Sequence, residues 1–179
     1  MLGPRIAEQI PDVAGLVMLA APSRPLVDTI YDQYAYLYSL NGGPTDQQKT
    51  DLETIQAQVD RAKDPALTGA VPASELPLGI YPAYWIDLRS YDQVASAKAL
   101  KIPLLILQGG RDYQVSPEVD FKGWQTALAG NANVTFKLYP AANYLFISGT
   151  GPASPADYQQ ESHIAAEVVS DIGQWILKH

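Results

Sequence analysis

Apolar residues fall along this chain in two styles. In two places they form short continuous runs. Elsewhere they recur every three or four residues, or, in Val134 to Tyr139, a third predicted strand, alternate with Thr135 and Lys137. The runs are Val13 to Ala21, closed by Pro22, and Ile102 to Leu107. Runs of this length without polar alternation predict strands buried on both faces, as in a parallel sheet. Helical spacing links Leu26, Ile30, Tyr34 and Leu37 over residues 23–40, a stretch ended by Asn41-Gly42-Gly43-Pro44. A second helix is predicted over 45–63, with Leu52, Ile55 and Val59 on one stripe and a largely exposed remainder. Residues 64–82 are rich in Pro, Gly and Ala and read as irregular; short helices follow at 83–88 and 91–100.

The C-terminal part is more regular. Phe121, Trp124 and Leu128 predict a helix over 117–128, closed by Gly130-Asn131. Residues 140–162 read as a long loop containing Ser148-Gly149-Thr150-Gly151. Ser162 is the expected N-cap of a last helix, whose apolar face carries Ile164, Val168, Ile172 and Ile176. At the other end, residues 3–10 fit a short helix with Pro4 in its first turn, broken by Pro11-Asp12. The third strand follows the second through one helix, a βαβ unit expected to be right-handed. The second follows the first only after a long, mostly helical insertion. The expectation is an α/β fold of three parallel strands with flanking helices, in one domain over 1–179, the insertion occupying about residues 24–100.

Composition removes several functions. The 179 residues carry a formal net charge of −7, which argues against nucleic acid and against an anionic membrane surface as partners. The longest apolar run, residues 13–22, is far short of the ~20 residues a spanning helix needs. Glu8 and Asp12 precede it where a signal peptide carries positive charge. No cysteine is present, and His163 and His179 are the sole histidines, so a zinc site is not expected and no metal or cofactor is implied. Compartment is not legible.

Ligands of open parallel sheets bind at the carboxyl ends of the strands. That singles out residues 21–24, 108–115 and 139–146. Asp112 stands out, since Gly109-Gly110 before it permit a sharp turn that presents a carboxylate at the sheet's edge. Two readings are open: Asp112 is a functional acid, or it caps its own turn or pairs with Arg111.

The segment Ile102-Pro103-Leu104-Leu105-Ile106-Leu107-Gln108-Gly109-Gly110-Arg111-Asp112 resembles the strand and loop that deliver the acid of the Ser-Asp-His triad in α/β-hydrolases, of the esterase and dienelactone-hydrolase type. Val134 to Pro140 resembles the last strand of that fold, Pro11 to Pro22 the strand after the nucleophile helix, and the insertion the lid. The resemblance implies a carboxylic-ester hydrolase with Asp112 at the acid position. Tyr34 and Tyr113 are the candidate contacts to a small-molecule ester. The face bearing Tyr31, Tyr34 and Tyr38 is either an aromatic wall over an acyl pocket or lid core.

The family pattern is broken twice. No G-x-S-x-G motif occurs, and residues 1–7 look like the helix that follows that turn, so the chain is expected to start just beyond the nucleophile. In relatives the loop after the last strand runs roughly Y-P-x-x-N-H-x-F; here it is Tyr139-Pro140-Ala141-Ala142-Asn143-Tyr144-Leu145-Phe146, with Tyr144 at the histidine position. A phenol titrating near 10 is a poor general base at neutral pH. His163, at the start of the last helix, and His179, terminal and expected to fray, are not expected to substitute. Ser23, Ser116 and Ser148 read as turn formers.

The expectation is therefore a hydrolase scaffold without activity of its own; the alternative is a non-catalytic binding or self-assembly module. The 13–21 strand would expose an unpaired edge, predicting a homo-oligomer or a separate N-terminal half as partner.

Overall fold

A computed structural model describes residues 2–40 and 42–179; Met1 and Asn41, and with Asn41 one residue of the expected helix stop, lie outside the described residues. In chain order the elements are α1 (Gly3–Gln9), β1 (Leu16–Leu19), α2 (Leu26–Ser39), α3 (Asp46–Lys63), α4 (Pro82–Arg89), α5 (Gln93–Ala99), β2 (Leu104–Gly109), α6 (Lys122–Ala127), β3 (Val134–Tyr139) and α7 (Ala166–Ile176). Single 3-10 turns occur at Ala73–Glu75, Pro77–Gly79 and Pro155–Tyr158, and a π-turn at Pro117–Phe121 leads into α6. The chain divides into two compact units: a sheet unit, up to Ser23 and again Gln93–His179, and a helical unit, Arg24–Asp92.

The sheet unit holds three parallel strands in the order β1-β2-β3. Leu16 to Leu19 pair with Leu104 to Leu107, and Leu104 to Gly109 with Val134 to Tyr139. β2 is central and buried at every position, which is why its sequence is a continuous apolar run. Its side chains alternate between two cores. Leu104 and Ile106 join Met18, Ala97, Phe121 and Trp124; Leu105 and Leu107 join Tyr139, Phe146, Val168 and Trp175. Trp124 is 1% exposed and its indole N–H donates to the Ala21 carbonyl at 2.8 Å, so the aromatic body is buried without losing a hydrogen bond.

Three boundaries differ from expectation, each for a local reason. β1 is shorter than 13–21. The Leu16 and Ala20 N–H groups still bond Pro103 and Leu107 carbonyls, but Ala20 sits at φ +45 and ends the strand. As one flank of the three described strands, β1 is buried on both faces at Met18 alone, and Leu19 is 43% exposed. The helix expected over 117–128 starts as a π-turn. Ser116 Oγ accepts the Val119 N–H, while Ser116 O takes both the Asp120 and the Phe121 N–H. α7 starts at Ala166, not at Ser162. It has no side-chain cap, and Ser162 instead donates its hydroxyl to Gln160 O. Val168 and Trp175 are its buried residues, whereas Ile164 and Ile176 are exposed.

The helical unit has its own core of Val27, Ile30, Val59, Ala62, Leu67, Leu76 and Trp85. α3 begins with a full capping box, Thr45 and Gln48 satisfying each other's backbone N–H, and most of its remaining surface is polar. The irregular stretch is less passive than composition implies, because Leu76 is completely buried and Leu67 nearly so.

Candidate active-site region

The loops after β2 and β3 come into backbone contact in the sheet unit. The Gly110 N–H donates to Tyr139 O at 2.8 Å, and the Arg111 N–H to Ala142 O at 2.9 Å. A Cβ on Gly109 would stand 2.5 Å from Asn143 O and 2.6 Å from Ala142 O; one on Gly110 would stand 2.7 Å from Pro140 Cα. Both glycines are therefore needed for two backbones to touch, beyond any turn they permit.

Asp112 ends this stitched segment, 4% exposed. Its Oδ1 accepts the backbone N–H of Gln114 at 2.8 Å and of Val115 at 2.9 Å, and its Oδ2 accepts Gln108 Nε2 at 2.9 Å. Gln108, itself buried in β2, also donates to the carbonyl of Val115. The carboxylate thus caps its own turn, one of the two readings open in the sequence. Arg111 turns elsewhere, bonding Asp157 Oδ2 at 3.1 Å. Burial pushes the Asp112 carboxyl up to about 6, against the three hydrogen bonds, which favour the charged form; nearby Asp120 pushes it up further.

Tyr144 rides on a tight loop built by Asn143. Asn143 Oδ1 accepts the N–H of Leu145 at 3.0 Å and of Ile147 at 3.1 Å, the Asn143 carbonyl takes the Phe146 N–H, and Phe146 is held at φ +59. Tyr144 is half-buried against the Leu105–Trp175 core. It is not among the hydrogen-bond partners that Asp112 has within the described residues. Tyr158, from the 3-10 turn, accepts Gln114 Nε2 at 3.3 Å, and its phenol is raised chiefly by burial, with Asp112, Asp157 and Tyr144 adding negative potential.

The remaining candidates sort by position. Tyr113 is half-buried next to Asp112. Tyr34 lies in the helical unit, packed on that unit's core with its ring 6.2 Å from Tyr38. Ser23 and Ser116 meet at Asp120, whose two oxygens accept their backbone N–H groups at 3.1 and 3.2 Å. Ser116 is also the cap of the π-turn, and Ser148 pairs with Ala142 in an isolated bridge. His163 is exposed. The His179 ring lies 4.7 Å from that of Trp175, tilted to it, with Nδ1 2.9 Å from the Trp175 carbonyl. Among the described residues no cluster of three His, Cys, Asp or Glu converges to hold a metal.

Sequence reasoning missed Asp120, Gln108 and Asn143. Asp120, fully buried, joins the loop after β1 to the loop after β2. Its signal was a carboxylate on a helix otherwise read from its apolar spacing. Gln108, the polar residue closing an apolar strand, was the visible sign that the strand ends in a network.

No protein-family model matches the chain. It is 36% identical over 179 residues to esterase EstD of Thermotoga maritima, an alignment covering 99% of this chain and 40% of that protein. The chain thus spans well under half the length of the curated relative it matches. Three parallel strands with flanking helices are a partial α/β fold, and the likeness to an esterase supports its being part of an α/β-hydrolase fold.

Proposed function

We propose that this chain carries the acid-and-base portion of a carboxylic-ester hydrolase scaffold, with Asp112 at the acid position, and that Tyr144 leaves it unable to run the triad chemistry. One observation carries the reading: the loop bearing buried Asp112 and the loop bearing Tyr144 are stitched together by backbone hydrogen bonds that both glycines permit. In triad chemistry the acid orients an imidazole, which takes the nucleophile's proton and returns it to the leaving group. A phenol that titrates near 10 cannot accept that proton at neutral pH. The raised Asp112 is consistent with a carboxylate awaiting a cationic partner, whose charge would draw it back down. The Arg24–Asp92 unit is the lid in this reading, and Tyr34 and Tyr113 are contacts to the ester.

The test is a chimera in which this chain replaces the matching 40% of EstD. With Tyr144 it should hydrolyse p-nitrophenyl acetate at background rate; with Tyr144→His, turnover should rise by roughly 10²-fold or more. Equal activity of the two chimeras would overturn the reading, as would a stoichiometric burst from the chain alone that one serine substitution abolishes.

A self-assembly role is favoured by a separate feature. β1 pairs with β2 alone among the described strands, and its four residues are all apolar. Leu2, Ile6 and Ile10, spaced four apart, are exposed along α1, as is Leu19 on β1 itself. The occupant proposed for this edge is the same edge of a second copy. Light scattering of the purified chain should give a dimer mass, and Val17→Lys should halve it. A monomer, or capture only by a separately expressed strand-bearing segment, would remove the dimer.

A further inference from the structure

The Ser148-Gly149-Thr150-Gly151 stretch serves none of the roles assigned above, yet it forms one wall of a cleft of about 290 Å³ within the sheet unit. That is at the small end of the range for ligand sites, which starts near ~300 Å³. The opposite wall is the 3-10 turn Pro155–Tyr158 and the residues after it. Arg111 fixes the two walls to each other. Its guanidinium donates to the carbonyls of Gly151 at 2.8 Å and Thr150 at 3.2 Å and pairs with Asp157 at 3.1 Å, with the side chain 12% exposed. Gly149 lies so close beneath it that a Cβ would stand 2.2 Å from the guanidinium. The walls are therefore held in place before anything binds, which lowers the ordering cost of binding.

The lining selects a chemical class. Hydroxyls of Ser148, Thr150 and Ser162 and the amides of Asn143 and Gln160 mix donors with acceptors. The single cation, Arg111, is already neutralised by Asp157, while Glu161 adds a negative charge at the rim. An anion is thus repelled, and the metal option fails for want of a third ligand. Ile147 and Ala156 supply a small apolar surface. At the lining, the Nδ2 of Asn143 is a buried donor with no partner among the described residues, although its Oδ1 is doubly bonded. An unpaired buried donor is costly and calls for an acceptor.

We infer that this cleft binds a small neutral polyol of monosaccharide size, whose hydroxyls both give and accept hydrogen bonds along its walls. The inference does not rest on the ester reading, because the cleft uses neither Asp112 nor Tyr144.

The test uses the full chain, isotope-labelled and titrated with D-glucose, with glucose 6-phosphate as its anionic counterpart, followed by amide NMR. Glucose should give saturable shifts at the Asn143 side-chain amide and at the Gly149 and Thr150 backbone. Glucose 6-phosphate should bind at least about tenfold more weakly, a difference of ~1.4 kcal/mol. Asn143→Asp keeps the Oδ1 bonds and removes the donor, and should weaken glucose about tenfold. Ser148→Ala with Ser162→Ala, two exposed substitutions that leave the fold's hydrogen bonds to the core untouched, should weaken it similarly. Failure of glucose to saturate, shifts confined to residues 112–115 and 144, tighter binding of glucose 6-phosphate, or unchanged affinity in the serine pair would each overturn the site.

Discussion

The loop after β2 and the loop after β3 are built alike. Each is organised by one Asx side chain that accepts two backbone N–H groups: Asp112 from Gln114 and Val115, Asn143 from Leu145 and Ile147. Each is nearly or wholly buried at that residue. They differ in what they present. The first presents its organising carboxylate itself, with one oxygen shared with Gln108. The second places a half-buried phenol, Tyr144, beside its organiser. Two loops organised in the same way thus carry different chemistry, a buried carboxylate in one and a half-buried phenol in the other.

The comparison breaks most completely at the shared seam. Gly109→Ala sets a Cβ against two carbonyl oxygens of the other loop, atoms that cannot step aside as a side chain would. It should cost about 3 kcal/mol or more in urea unfolding and expose amides of both loops to exchange together. Exchange confined to one loop would show that they are not coupled.

The acid loop alone is probed by pH. The folded Asp112 carboxyl, at about 6, lies above the unfolded value near ~3.9, so the folded state holds the extra proton between them. Its ionisation destabilises the fold as pH rises through that window, and the penalty is complete above about 6. Relative to Asp112→Asn, the wild type should therefore gain stability on acidification from neutral pH to ~pH 4, by up to roughly 3 kcal/mol. A flat difference between the two chains would remove the buried-carboxyl account.

Asn143→Ala tests the second loop by the same logic without a charge. Two part-buried N–H groups flanking Phe146, which sits at positive φ, lose their acceptor, for an expected loss of about 2 kcal/mol. Smallest of all is Tyr144→His. If scaffold and chemistry are separable, this substitution should move stability by less than about 1 kcal/mol, because the loop's hydrogen bonds come from Asn143 and from backbone. A larger loss would mean that Tyr144 has become part of the scaffold.

Much of the fold was legible because the signals were periodic. β3 matches its predicted span residue for residue, and α2, α3 and α4 match theirs within a few residues. The ends were harder to read, since they depend on single backbone events: Ala20 at positive φ shortens β1, and a π-turn replaces the first turn expected at Pro117. Ser162 read as a cap because Ser commonly is one, but the chain reaches α7 by way of the Ala165 N–H bonded to Phe146 O, a contact between segments far apart in sequence. In the candidate site, Asp112 and Tyr144 were singled out by the motif around them. Their surroundings were not, because Gln108, Asp120 and Asn143 act through partners that only folding brings near.

The three tryptophans lie one to a core: Trp124 on one face of the sheet, Trp175 on the other, and Trp85 in the helical unit. Each core therefore holds its own intrinsic fluorophore. Three variants retaining one indole apiece turn emission spectroscopy into a layer-by-layer record of melting, without any added label. Trp124, hydrogen-bonded and 1% exposed, is expected to shift last and most abruptly, and Trp175, 9% exposed on the last helix, earlier.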